Sequence, residues 1–193
     1  MTLDDDAIER LVRTAQRGDP EAFGRIFDHY HVSVHRYIAS RVGRPSDAED
    51  LTQLVFVKAL EALPRFEARG IPFGGWLFRL ARNTVIDHIR TRHEHLELDE
   101  ALEHPTGEAD PGDVAELRHE LDAVAAALRT LTAEQRETIA LRFFAGLSAR
   151  EAAEAMGKQE GTIRGLQFRA IAALRRALGI PGPGQGPDDE GIA

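Results

Sequence analysis

Residues 147–170 read LSAREAAEAMGKQEGTIRGLQFRA. Ser148 and Glu151 stand three apart ahead of an alanine-rich run, the spacing at which a hydroxyl and a carboxylate cap each other's backbone N–H at the start of a helix. Gly157 stops that helix, and a second helix is predicted from about Glu160. A short capped helix, a glycine turn and a longer helix make the layout of a helix-turn-helix. On the second helix Ile163, Leu166, Ala170 and Leu174 share the face that packs on the first. Arg164, Phe168, Arg169 and Arg175 are left outside. Residues 158–176 hold five basic residues and one acidic, so the outward face is basic and carries one aromatic ring. A plain three-helix module would show the same spacing, but the exposed basic face favours DNA as its partner. A ring between two arginines can lie against thymine methyl groups while the guanidiniums reach guanine edges or phosphates in the major groove.

Working back from this segment, residues 132–135, TAEQ, form another capping box, and Val114, Leu117, Leu121, Val124 and Leu128 recur at alternating steps of three and four, the period of a helix. Residues 96–112, LELDEALEHPTGEADPG, carry six acidic residues, no Lys or Arg, two prolines and two glycines, which reads as a linker. Before it, a first helix over about 5–17 ends at Gly18. Asp19 caps a second helix with Pro20 in its first position, running to about Val42. Pro45 breaks the chain, and Ser46 with Glu49 is read as a third capping box. After Pro64 comes a loop holding Gly70, Pro72, Gly74 and Gly75, then a helix over about 76–92. No Val/Ile/Thr-rich alternating run occurs, so the fold class is all-α. The expected organisation is an N-terminal helical domain over 1–95, an acidic flexible linker over 96–112, a C-terminal helix-turn-helix domain over 113–180 and a disordered Pro/Gly-rich tail over 181–193.

A DNA-binding reading has to coexist with a net charge of −8 over 193 residues. The charge is segregated. Residues 64–95 and 123–180 are net basic, whereas residues 96–122 hold ten acidic residues and one basic one, so two basic zones flank an acidic one. With 42% hydrophobic and 29% charged residues the chain is of globular composition. It has no Cys, which removes disulfides and thiolate metal sites and fits a reducing compartment. The acidic N-terminus MTLDDDAIER is unlike a signal peptide, and no run of about 18 apolar residues exists to span a membrane. The expected location is the cytoplasm, with no membrane partner.

Three further stretches carry chemistry. In DAEDLTQLVFVKAL, residues 47–60, Leu51, Leu54, Val55, Phe56, Val57, Ala59 and Leu60 fall round nearly the whole circumference of a helix. Either the helix is central to its own domain, or one side packs inward while another docks on a partner with Asp47, Glu49 and Asp50 at the rim. In WLFRLARNTVIDHIRTR, residues 76–92, Arg79, Asn83, Ile86 and Arg90 form one stripe with Arg82 beside it. Phe66, Phe73 and Trp76 lie among glycines and arginines just before it, and aromatic faces beside cations suit an unstacked single strand. His31 and His35 stand at i, i+4 with Asp28 near, and His88, His93 and His95 cluster later. With no HExxH pattern, acid pair or nucleophile accompanying them, they read as surface histidines rather than metal ligands. No cofactor and no catalytic residue is expected.

The order of DAEDLTQLVFVKAL, a glycine-containing loop, GGWLFRLARNTVIDHIR, and LTAEQRETIALRFFAGLSAREAAEAMGKQEGTIRGLQFRAIAALRR resembles the extracytoplasmic-function class of bacterial RNA polymerase sigma factors, over roughly residues 7–178. That resemblance implies a non-enzymatic initiation factor that binds core RNA polymerase and helps open promoter DNA. The helix over 47–60, through Asp47, Glu49, Asp50, Leu51, Gln53, Leu54 and Phe56, would bind the clamp helices of the largest catalytic subunit, with the flap as a second polymerase contact. Phe66, Trp76, Arg79, Arg82, Asn83 and Arg90 would melt and read the element near the start site, a flipped base lying around Asn83. Thr162, Arg164, Phe168 and Arg169 would read the upstream element, and an anti-sigma protein is among the partners implied. The acidic tether would run through polymerase channels, its carboxylates mimicking phosphates. The chain departs from the family pattern in having Leu54 where Glu is usual and Gly165-Leu166 in place of a common Ser-Arg pair. A stand-alone helix-turn-helix regulator is the alternative reading.

Overall fold

A computed structural model describes residues 4–68, 70–96 and 123–181. Its elements are α1 Asp5–Gln16, α2 Pro20–Ala39, α3 Pro45–Ala62 with a single 3-10 turn Leu63–Arg65, α4 Phe73–Leu96, α5 over residues 123–129, α6 Ala133–Ile139 continuing into a π turn Ala140–Phe144, α7 Ala149–Met156 and α8 Glu160–Ala177. Among the described residues all regular structure is helical. The expected linker residues 97–112, the apolar positions Val114, Leu117 and Leu121, and the tail from 182 lie outside the described residues.

The chain forms two compact units that do not follow chain order: Met1–Thr106 with Ala140–Ile163, and Gly107–Ile139 with Arg164–Ala193. In the first unit α2 supplies Ile26, Tyr30, Val34, Tyr37 and Ile38, buried at helical spacing. They meet Val55, Phe56 and Ala59 of α3 and Leu77, Phe78, Ala81 and Val85 of α4. α1 closes the bundle with Ile8 and Val12, and its Gln16 side-chain amide donates to the carbonyls of Leu63 (3.0 Å) and Phe66 (2.7 Å), tying α1 to the end of α3. In the second unit Leu131, Ile139 and Ala170 form the core, with Leu128, Ile171, Ala173 and Leu174 packed round it.

Local signals set most helix starts. The Asp19 carboxylate accepts from the N–H groups of Glu21 and Ala22, and Pro20 occupies a first-turn position where its missing N–H costs nothing. Thr132 and Gln135 cap each other, the Thr132 N–H donating to the amide oxygen at 3.0 Å and the Gln135 N–H donating to the hydroxyl at 3.2 Å. Ser148 and Glu151 do the same for α7, and Gly157 ends that helix at φ 63°, ψ 37°, a left-handed conformation that a side chain would strain. Replacing Ser148 by Ala is expected to lower unfolding free energy by about 1 kcal/mol, read from a urea titration.

Two starts differ from the sequence expectation. The third capping box does not form: α3 begins at Pro45 with Arg44 as a cap lacking any side-chain bond. With proline at its first position the helix starts two residues earlier than a Ser46 cap would place it, so Ser46 lies inside it. The helix α4 begins at Phe73 rather than near Trp76, which places Gly74 and Gly75 within its first turn. Glycine weakens a helix by about 1 kcal/mol relative to Ala, and the reason for it here is close approach. A Cβ at Gly74 would overlap the Glu151 carboxylate, and one at Gly75 would lie 2.8 Å from Glu154 Cβ.

Candidate nucleic-acid interface and docking face

The helix α3 has two faces. Ala48, Leu51, Thr52, Val55, Phe56 and Ala59 are buried. Asp50, Gln53, Leu54, Val57 and Leu60 recur on the other side and are all exposed, with Leu54 at 41%, Val57 at 51% and Leu60 at 53%. Of the residues expected to dock on a partner, Glu49, Asp50, Gln53 and Leu54 therefore lie on the open side. Leu51 and Phe56 lie in the core, the Phe56 ring 4.6 Å from that of Phe27, so they support the outer stripe from beneath. Asp47 is turned to an internal use, its carboxylate 3.5 Å from His88 Nε2 and 3.4 Å from Arg92 Nη1, which joins the start of α3 to α4. Val57 and Leu60, which were not among the residues expected to dock, share this open side with Leu54, and their step of three is legible in the sequence.

The aromatic residues before α4 form one cluster. Phe73 is buried, 5.7 Å from Tyr30, and carries the half-buried Phe66 and Trp76, whose ring centres are 4.8 Å apart. Burial, with the Glu151 and Asp5 carboxylates nearby, holds the Tyr30 hydroxyl well above the usual tyrosine range, so it stays neutral. Along α4, Asn83, Ile86 and Arg90 are exposed while Arg79 and Arg82 are half-buried. Arg90 lies 3.6 Å from Asp87 of its own helix. Arg79 is engaged: its Nε and Nη2 donate to the Glu154 backbone carbonyl at 3.2 and 2.9 Å, and Nη2 also meets the Glu154 carboxylate. The stripe exists as read from the sequence, but its first arginine is held by α7.

On α8, Ile163, Leu166 and Ala170 are buried, and Thr162, Arg164, Phe168 and Arg169 are exposed. Phe168 is 76% exposed, more than any other large hydrophobic residue described. A Cβ at Gly161 would meet open space, and one at Gly165 would find only the Arg169 guanidinium, 3.5 Å away. The histidine pair is used in packing: the His31 ring lies 4.8 Å from Phe27, His35 lies alongside at 6.4 Å, and His35 Nδ1 is 3.5 Å from Thr52 Oγ1. Among the described residues no three metal-ligating side chains come together, and no helix is long and apolar enough to cross a membrane.

The described residues thus present an exposed apolar stripe on α3, an aromatic and basic surface at the start and along α4, and a helix-turn-helix whose longer helix has a basic outer face. Residues 26–94 match the family model Sigma-70 region 2, and residues 127–176 match Sigma-70, region 4. The chain is 42% identical to the ECF RNA polymerase sigma factor BldN of Streptomyces coelicolor over 87% of its own length and 64% of BldN's. It is 35% identical to the ECF RNA polymerase sigma factor ShbA of Streptomyces griseus, over 87% of this chain and 93% of that one. Among solved structures it resembles the sigma factor RpoE in complex with the anti-sigma factor NepR from Bartonella quintana, at a TM-score of 0.65 and 27% identity, covering 83% of this chain and 98% of that one. The chain belongs to the extracytoplasmic-function class of RNA polymerase sigma factors, non-enzymatic initiation factors that lend promoter specificity to core polymerase.

Proposed function

We propose that this chain binds core RNA polymerase through the outer stripe of α3 and directs it to promoters whose upstream element is read by α8. Residues 1–95 serve the polymerase contact and strand opening, residues 113–180 the upstream element, and 96–112 the tether between them. Glu49, Asp50, Gln53 and Leu54, extended by Val57 and Leu60, meet the clamp helices, and the flap is the second polymerase contact. Phe66 and Trp76 offer stacking faces to an opened strand, with Arg79, Arg82, Asn83 and Arg90 along its phosphates and bases. Thr162, Arg164, Phe168 and Arg169 face the major groove. The chain supplies no catalytic group or cofactor, since the chemistry belongs to the polymerase, and its place of work is the cytoplasm where that enzyme acts. An anti-sigma protein is a further partner of this reading, as RpoE has one in NepR.

The observation that carries the proposal is the doubly apolar α3, whose exposed Leu54, Val57 and Leu60 a helix-turn-helix regulator acting alone would not need. The test is run-off transcription by core polymerase on genomic fragments, with and without the protein. Discrete protein-dependent transcripts are expected. Tight binding of the isolated chain to the same fragments without transcripts would favour the stand-alone regulator.

A further inference from the structure

We propose that the cavity between α1, α2 and the start of α7 is a binding site for a small aliphatic cation, a short alkyl chain with an ammonium or guanidinium group at each end. The site belongs to the first unit alone, and it does not depend on the surfaces assigned to polymerase and DNA.

The cavity has a volume of about 490 Å³, the size of a small-molecule site. Three carboxylates stand round it on three separate helices: Asp5 at the start of α1, Asp28 on α2 and Glu151 in the first turn of α7. Among the described residues no Lys or Arg lines it, and neither Asp5 nor Asp28 has an ion pair or a hydrogen bond to its carboxylate. Glu151 commits Oε2 to the Ser148 N–H at 2.8 Å and the Ser148 hydroxyl at 2.6 Å. Its Oε1 has no donor among the described residues and lies against Gly74. Negative charges facing one hollow with no counter-charge repel one another, and a cation entering the hollow relieves that repulsion.

Tyr30 supplies what a solvated acidic rim lacks. The residue is only 9% exposed, with the His29 ring edge-on at 4.7 Å and Phe73 at 5.7 Å. It lines the cavity, and nothing among the described residues hydrogen-bonds its hydroxyl. That hydroxyl lies beside the Glu151 carboxylate, both approaching the Cβ position of Gly74, the hydroxyl to within 3.3 Å. A mostly buried hydroxyl without a partner is unfavourable until a ligand satisfies it. Burial, then the charges of Glu151 and Asp5, keep it neutral, so it offers a lone pair to an N–H while the carboxylates supply the charge. Ile8, Phe78 and Leu147 form the apolar part of the wall, which suits methylenes between two charged ends. A metal ion fits less well. No three metal-ligating side chains converge among the described residues, whereas Ca²⁺ or Mg²⁺ takes about six oxygens or more at roughly 2.0–2.6 Å.

Putrescine is the probe, titrated calorimetrically into the full chain at physiological salt, with butylamine, which carries one charge, and Mg²⁺ as comparisons. Saturable binding of one putrescine per chain is expected, with a rise in melting temperature. Butylamine and Mg²⁺ should bind at least about tenfold more weakly. Tyr30→Phe, Asp28→Asn and Glu151→Gln should each weaken putrescine binding about fivefold or more. A glutamine at 151 still caps α7. Tyr30→Phe should leave the melting temperature of the free chain unchanged or raised, because its hydroxyl has no partner to lose. Glu61→Gln removes the same charge from an exposed position of α3 outside the cavity and should leave binding as it was. Equal losses at Glu61 and Asp28, or no loss in Tyr30→Phe, would show attraction to the acidic surface in general and overturn the site. Absence of saturable binding, tighter binding of Mg²⁺, or a lower melting temperature of Tyr30→Phe would overturn it as well.

Discussion

Leu60→Asp, alone or with Val57→Asp, is expected to abolish co-purification with core polymerase while leaving the melting temperature unchanged, and Val55→Asp is expected to unfold the first unit. All three residues are on α3, and the difference is burial: Val57 and Leu60 are more than half exposed whereas Val55 has no exposure. An unpaired carboxylate at Val55 has no water and no partner, costing several kcal/mol out of a total stability of about 5–15 kcal/mol. At Leu60 the same carboxylate is solvated in the free chain and is desolvated only when a partner covers it. Residues at the centre of an interface are worth about 2 kcal/mol or more when removed, at least a 30-fold loss of affinity, and a charge facing an apolar partner adds to that. Normal co-purification of the Leu60 variant would place the docking face elsewhere. Equal melting loss at Leu60 and Val55 would show the stripe to be internal.

Phe168→Ala should relax promoter preference at one or two upstream base pairs by about 1–3 kcal/mol each without lowering the melting temperature. The ring is 76% exposed between Arg164 and Arg169, while the core face of α8 is filled by Ile163, Leu166 and Ala170, so its loss leaves no cavity. The net charge of −8 does not oppose this contact, because charges beyond a Debye length of about 8 Å are largely screened at physiological salt. Arg164→Ala separates two roles for that arginine: a guanine contact gives a local loss of preference, and a phosphate contact gives a uniform loss with a salt slope reduced by about 1. The measurement is run-off transcription from a library randomised at the upstream element. An unchanged preference for Phe168→Ala would remove the ring from the reading surface.

The parts of the fold that were legible in the sequence are those set by short-range chemistry. Ser148 with Glu151, Thr132 with Gln135, and Asp19 with Pro20 each satisfy orphan N–H groups within one turn, so neighbouring residues alone determine them. Exposure of Phe168 followed from the same logic, since Ile163, Leu166 and Ala170 can face only one way. Ser46 failed because Pro45, one residue earlier, also fits a helix start and there the proline prevailed. The two faces of α3 defeated periodicity, because apolar residues on both sides do not say which side meets the core. Leu51 and Phe56 were therefore grouped with Leu54 although they are buried, and the exposed Val57 and Leu60 were left out of the expected docking set. Gly74 and Gly75 read as loop residues for a different reason: what demands them is α7, more than seventy residues away along the chain, and no local window contains that helix.

The two glycines of α8 differ from that pair in having nothing pressed against them. Side chains introduced at Gly161 or Gly165 would project from the same helix that carries Arg164, Phe168 and Arg169 without displacing a packed neighbour. Each would also gain up to about 1 kcal/mol of helix propensity. Most changes of DNA specificity must be tolerated by the fold before selection can act on them. At these two positions the fold sets no such condition, so on the proposed reading of α8 its outer face can be altered while the packed core stays the same.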